Sequence, residues 1–221
     1  MPYSTAFGDH FYCQTDGRLE CGHVFLAGNG LPQRWVKEGL FRIGELGFGT
    51  GLNACETWRQ WKSTRQPGGV LHFVSFELYP MNGEDIARAL SRWPEIAAER
   101  DALIASWPSD PRGVVDLFLD DATQLTVICG DALENVAKSD FVFDAWYLDG
   151  FAPSRNAAMW SPELMQALFE KTAPGGSFAT YAAAGFVRRN LVAAGFAVER
   201  RKGFAGKREM LCGTRPSHSV L

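Results

Sequence analysis

Phe41-Arg42-Ile43-Gly44-Glu45-Leu46-Gly47-Phe48-Gly49-Thr50-Gly51-Leu52-Asn53 decides the fold. Phe41–Leu46 makes a short apolar strand, and three glycines at alternate positions follow it. Beyond them Leu52, Cys55, Trp58 and Trp61 recur at helical rather than alternating spacing. A strand that passes through a glycine turn straight into a helix is the opening unit of an α/β sheet, where ligands bind beyond the carboxyl ends of the strands. Glycine allows positive φ and close approach of a ligand to the backbone, and the free N–H groups of the following helix point at whatever binds. The spacing G-x-G-x-G is neither the G-x-G-x-x-G dinucleotide fingerprint nor a P-loop. Taken alone, it also fits a tight strand-to-helix turn without a ligand.

The same alternation continues outward. Val70–Phe76 reads as a second strand ending at Glu77, with helices over 82–90 and 95–106. Val114–Leu119 and Gln124–Ile128 flank a turn at Asp120-Asp121-Ala122-Thr123 and read as a hairpin, whose second arm ends at Gly130-Asp131 before a short helix at Ala132–Ala137. Phe141–Leu148 is a strand ending at Asp149-Gly150. Helices at 162–172 and 186–194 then alternate with strands at 177–181, 196–201 and 210–213. The prediction is an α/β, mostly parallel sheet with helices on both faces and an antiparallel edge strand at the C-terminus. The first 35 residues read as a small β appendage, with His10–Cys13 and Val24–Ala27 as a hairpin. Residues 1–35 then form a cap segment, and 36–221 a single globular unit.

Four strand ends therefore carry a glycine loop or a carboxylate at one rim. Glu77 lies 26 residues after Gly51, and an acid about 20 residues beyond such a loop accepts hydrogen bonds from ribose hydroxyls. Asp131 is placed to accept from an adenine amino group, and Asp149 ends the fourth strand. Any one of these acids is more often a helix cap or a solvated side chain; together they favour a nucleoside pocket. The loop has no lysine and the chain no obvious metal triad, which disfavours a triphosphate. Carboxylates suit a nucleoside bearing a positive sulfonium, pointing to S-adenosylmethionine.

Composition sets bounds. The 221 residues are 46% hydrophobic and 21% charged, with a net charge of −3, which suits a globular domain and gives no overall attraction to nucleic acid. Residues 185–215 nonetheless hold eight basic side chains (Arg188, Arg189, Arg200, Arg201, Lys202, Lys207, Arg208, Arg215) against Glu199 and Glu209. This is either a polyanion-facing end or a solvated face. Five cysteines, with no C-x-x-C pair, read as free thiols in a reducing compartment and not as a zinc site. No leader and no apolar run near the ~20 residues of a membrane span is visible. The expectation is a cytoplasmic protein without a membrane anchor.

Glu45 through Asn53 resembles the first motif of class I S-adenosylmethionine-dependent methyltransferases. Asp144-Ala145-Trp146-Tyr147-Leu148-Asp149-Gly150-Phe151-Ala152-Pro153-Ser154-Arg155-Asn156 with Met159-Trp160 is closer to one subfamily. That subfamily is the methyltransferase domain of the bacterial tRNA 5-methylaminomethyl-2-thiouridine biosynthesis enzyme MnmC, called MnmD when it stands alone. Val24–Trp35 and Lys207–Gly213 fit it too, so the resemblance runs from about Tyr3 to Gly213. Departures are Gly30, where members often carry an acid, and Ala157-Ala158, where they carry proline and an acid.

The resemblance implies a Rossmann-like fold that transfers a methyl group to the aminomethyl nitrogen of a wobble uridine, in the anticodon stem-loop of tRNA. It implies a cofactor site from Glu45, Gly47, Phe48, Gly49, Gly51, Asn53, Glu77, Asp131 and Ala132, with Tyr12 and Asn29 from the N-terminal segment. The bifunctional members carry an FAD-dependent oxidase domain that acts first. The chain ends eight residues after Gly213, so no FAD is expected in it, and a separate oxidase upstream is a possible partner. Asp149 is the expected proton acceptor; the alternative is that it caps the next turn or contacts the cofactor amino group. Phe151, Arg155 and Trp160 are expected at the substrate, the two aromatic rings lining a slot for the uracil; ordinary core packing is the alternative for them. Lys207 and Arg208 are expected at tRNA phosphates. The rival functions are methylation of another amine or small molecule, and a non-catalytic adenosine- or RNA-binding module. A nicotinamide dehydrogenase is disfavoured by the glycine spacing and Asp131.

Overall fold

The computed structural model describes residues 3–4, 8–10, 15–36 and 39–217, without the side chains of 3–4 and 9–10. Its strands are β1 (Tyr3–Ser4), β2 (Asp9–His10), β3 (Gly39–Leu46), β4 (Gly69–Glu77), β5 (Val114–Asp120), β6 (Thr123–Cys129), β7 (Phe143–Leu148), β8 (Thr172–Thr180), β9 (Ala197–Lys202) and β10 (Glu209–Thr214). Its α-helices are α1 (Gly17–Glu20), α2 (Leu52–Thr64), α3 (Gly83–Leu90), α4 (Ala97–Ser106), α5 (Ala132–Lys138), α6 (Pro162–Glu170) and α7 (Gly185–Ala194).

Eight strands form one sheet in the order β5-β6-β4-β3-β7-β8-β10-β9. The inner five are mutually parallel. β5 pairs antiparallel with β6, and β10 runs antiparallel to both β8 and β9. Parallel strands buried on both faces need continuous apolar runs, and β3, β4 and β7 supply them with Ile43, Leu46, Phe73, Val74, Phe76, Ala145, Trp146 and Leu148, all buried. The C-terminal antiparallel pair makes the edge, with β9 outermost. Its Glu199, Arg200, Arg201 and Lys202 are all exposed. From β3 the chain moves outward to β4 and β6, then returns across β3 to β7 and β8. The reversal between β3 and β7 is the topological switch point, where α/β sheets bind ligands.

The N-terminal segment departs from expectation. β1 and β2 do pair antiparallel, but Val24–Ala27 is not a strand. From Gly17 to Asn29 the chain is helical, as α1, then a π-helical turn at Cys21–Leu26, then a 3-10 turn at Ala27–Asn29. Residues 11–14 of the expected hairpin, Tyr12 among them, lie outside the described residues. Helical geometry wins because it buries Cys21, Val24, Phe25 and Leu26 in the same cluster as Trp58, Phe73 and Tyr147. The Phe25 ring stacks on Tyr147 of β7 at 5.2 Å.

Asn29 fastens this segment to the sheet. Its buried amide donates to the carbonyls of Phe25 (2.9 Å) and Trp146 (3.1 Å) and accepts from the Ser177 hydroxyl (2.6 Å). Both amide hydrogens and one lone pair of the oxygen are spent on structure, so the side chain expected at the cofactor serves here as a fastening between segments. Asn29→Ala removes three hydrogen bonds from a buried site, and is expected to cost about 2–3 kcal/mol in urea unfolding. A loss below about 0.5 kcal/mol would contradict this role.

Cys21, Cys55 and Cys212 are buried free thiols and Cys129 is a half-buried one. Among the described residues no helix is long and apolar enough to cross a membrane.

Candidate active site

The glycine loop sits at the switch point. Gly47 has φ +86°, and its N–H donates to the Phe76 carbonyl at 2.8 Å. A Cβ there would lie 3.1 Å from the Asp149 carbonyl oxygen, so glycine is needed for both conformation and space. Gly51 has φ +76° as the residue before α2, and a Cβ would lie 2.9 Å from the Phe48 ring. The Phe48 ring is buried and stacks on Trp107 at 5.1 Å. It anchors the loop from beneath, so the expectation that Phe48 lines the cofactor site is corrected for its side chain.

The acids divide by role. Glu77, at the end of β4, accepts from the Gly49 N–H (2.9 Å) and the Tyr79 N–H (2.7 Å). The sequence-expected ribose carboxylate therefore lies directly against the glycine loop. Asp131 is exposed and caps α5, accepting from the Glu134 N–H at 2.9 Å. Ala132 behind it is buried.

Glu45 is fully buried, which corrects its placement as a direct contact. Its carboxylate accepts from the Ser75 hydroxyl (2.7 Å) and the Asn53 amide (3.0 Å). The same amide donates to Asp149 at 2.8 Å. Ser75, Glu45 and Asn53 thus form a relay that fixes Asp149 from behind. Burial lifts the Glu45 carboxyl well above the usual range; the Ser75 hydrogen bond opposes this and the Asp149 charge adds to it.

Asp149 follows β7 with one oxygen on Asn53 and the other on the Gly150 N–H at 2.9 Å. Burial pushes its carboxyl up to about 7, and the charge of Glu20 adds to the shift. The Asn53 and Gly150 hydrogen bonds and the Lys207 charge pull the other way. A carboxyl near neutrality, held by two donors at the switch point, is suited to exchanging a proton at physiological pH.

Two further expectations change. Trp160 is a core residue: it is buried, donating its indole N–H to the Phe151 carbonyl (3.2 Å) and accepting at its own carbonyl from Asn190 (2.8 Å). It shapes the 151–160 loop from inside and does not line an aromatic slot. Phe151 is half-buried and Arg155 exposed on that loop. Lys207 is exposed, yet its ammonium lies 2.8 Å from buried Glu20 and 4.2 Å above the Tyr181 ring. The Tyr181 hydroxyl donates to the Gly150 carbonyl. Arg208 stays exposed. Glu20 and Tyr181 were not singled out by the sequence; they meet Lys207 from three distant segments, so no local spacing signals them.

The residues fit S-adenosylmethionine. The positive-φ glycines leave room for a ligand against the loop backbone, the first turn of α2 offers N–H groups, Glu77 offers an acceptor for hydroxyls, and the surrounding carboxylates suit a sulfonium. Among the described residues no group of His, Cys, Asp or Glu is arranged to hold a metal ion.

Sheet order, switch-point loop and acids at successive strand ends define a Rossmann-like protein of the methyltransferase class. A profile described as S-adenosyl-L-methionine-dependent methyltransferase matches residues 94–216. The chain belongs to that family. It is 45% identical over 215 residues to the tRNA 5-methylaminomethyl-2-thiouridine biosynthesis bifunctional protein MnmC of Chromohalobacter salexigens, covering 96% of this chain and 31% of the relative. It is 42% identical to the protein of the same name from Maricaulis maris, covering 99% of this chain and 38% of the relative. The chain thus spans about a third of the length of these relatives. Among solved structures, MNMC2 from Aquifex aeolicus shares the fold, with a TM-score of 0.73 at 20% identity over 99% of this chain and 67% of that one.

Proposed function

We propose that this chain methylates the aminomethyl nitrogen of 5-aminomethyl-(2-thio)uridine at the wobble position of tRNA, acting in the cytoplasm with S-adenosylmethionine as methyl donor. The single observation that carries the reading is Asp149, fixed at the switch point by Asn53 and Gly150 with its carboxyl raised to about 7. Similarity to proteins named for that nucleoside supports the choice of substrate. An FAD-dependent oxidase acting earlier in the same modification belongs to the same proposal.

The cofactor, when bound, supplies an electrophilic methyl group on a sulfonium. The glycine loop and Glu77 hold its nucleoside, and Asp149 acts on the acceptor. A primary alkylamine is an ammonium at pH 7 and has no lone pair to attack with. Asp149 would take the ammonium proton first, which frees the lone pair with which the nitrogen attacks the methyl group. Raising the carboxyl from 3.8 to about 7 narrows its gap to an alkylammonium from roughly six units to roughly three, which lowers the cost of that transfer. Substrate docking belongs to the 151–160 loop, with Phe151 and Arg155 at its surface, and to exposed Arg208. Residues 36–221 then make the methyltransferase unit, with 1–35 closing one side of it.

Methyl transfer from labelled cofactor to tRNA bearing the aminomethyl nucleoside tests this directly. Label is expected in the wobble nucleoside and not in fully modified tRNA. Cofactor binding without any transfer to that tRNA, but with transfer to free amines, would favour a small-molecule substrate instead.

A further inference from the structure

Glu20 is a buried carboxylate outside every motif of the sequence, and it already holds an ammonium. Its side chain is 9% exposed and pairs with the Lys207 ammonium at 2.8 Å, and that ammonium lies 4.2 Å above the Tyr181 ring. A carboxylate below and an aromatic face beside a cation form the surroundings in which proteins bind alkylammonium groups. The cluster adjoins the catalytic strand end, because Tyr181 follows β8 and its hydroxyl is bonded to Gly150, the residue after Asp149.

We propose that Glu20 and Tyr181 form an ammonium subsite beside Asp149, which Lys207 fills until the aminomethyl group of the substrate takes its place. A buried carboxylate stripped of its cation is costly, so whatever withdraws Lys207 must bring another positive charge. An incoming alkylammonium meets that condition; a neutral group does not. Lys207 is able to leave, since its side chain is 42% exposed and it follows the tight turn at Ala205 (φ +46°) and Gly206 (φ +85°). Once displaced, it stands next to exposed Arg208. Glu20 therefore selects a charged amine and delivers it to Asp149, which removes the proton.

This rests on reading Asp149 as the acceptor-side group. The groups facing Asp149 are Glu20 from α1, Cys21 next to it, Glu45 from β3, Tyr181 after β8 and Lys207 from the β9–β10 turn, with uncharged Asn53 from α2. The test measures kcat and KM for tRNA bearing the aminomethyl nucleoside between pH 5.5 and 9, in wild type, Glu20→Gln and Lys207→Met. Cofactor calorimetry on each variant reports whether it is folded.

Glu20→Gln is expected to raise KM about tenfold or more by removing a charge-assisted contact. It is also expected to move the acid limb of the pH profile downward, because the Glu20 charge raises the Asp149 carboxyl. Lys207→Met is expected to lower KM by removing the competing cation and to move the same limb upward. Limbs that stay in place or move together, with folded variants and an active wild type, would overturn the subsite. A wild type inactive on that tRNA would overturn the substrate reading itself. A purely structural Glu20–Lys207 clasp would still shift the two limbs by charge alone but would lower stability in both variants with KM unchanged, which refutes the proposal.

Discussion

Asp149→Asn is expected to slow methyl transfer by about 10²–10⁴-fold, while cofactor affinity stays within a few-fold of wild type. The amide keeps the shape and one acceptor oxygen, but it cannot take a proton from the amine. The Gly150 N–H can still meet the amide oxygen while the amide nitrogen faces the Asn53 donor, and the glycine loop and Glu77 that hold the cofactor are untouched, so binding and turnover separate. Single-turnover transfer beside calorimetry reads both quantities, and near-normal turnover with retained binding would remove Asp149 from the chemistry. In wild type, kcat/KM should rise with pH through a midpoint near 7, since the ionised carboxylate is the active form. The same shift has a stability signature. The folded value lies above the ordinary 3.8, so folding takes up a proton between the two values. The carboxyl then costs progressively more stability as pH rises from about 4 to about 7, and the cost levels off above that. Asp149→Asn should melt at a higher temperature than wild type at pH 8, and the advantage should fade toward pH 4.

Gly47→Ala is expected to weaken cofactor binding tenfold or more and to lower turnover with it. An L side chain at φ +86° costs about 1–2 kcal/mol. The added methyl would also press on the Asp149 carbonyl at 3.1 Å. Loop and catalytic strand end cannot both keep their places, so the substitution damages the cofactor cradle and the acceptor side together. Gly22→Ala is a suitable control. It lies in a helical turn, and a Cβ there meets nothing within 4 Å, so binding should be unchanged and stability unchanged or raised by up to about 1 kcal/mol. A Gly47→Ala protein that binds the cofactor like wild type would show that the loop is a plain turn.

Much of this was legible from residues 41–53. A strand, a glycine turn and a helix have unlike periodicities, and the alternation they begin predicts the parallel sheet. The N-terminal segment was misread because Gly17, Gly22, Gly28 and Gly30 interrupt the helical pattern of Cys21, Val24, Phe25 and Leu26. Tertiary burial then overrides local preference. Glu77 lies against the glycine loop because a strand end fixes both position and direction. Asn29, Trp160 and Glu45 were read as contacts because a motif gives residue types without saying which way the side chains face; all three turn inward. Residues 20, 181 and 207 meet only in the folded chain.

The outer strand β9 has a consequence apart from catalysis. A sheet edge offers a template on which another chain can add a strand, and charged side chains along it discourage that. Glu199, Arg200, Arg201 and Lys202 line this rim. Part of the basic cluster near the C-terminus therefore protects the folded protein against edge-to-edge aggregation, whatever else those cations touch.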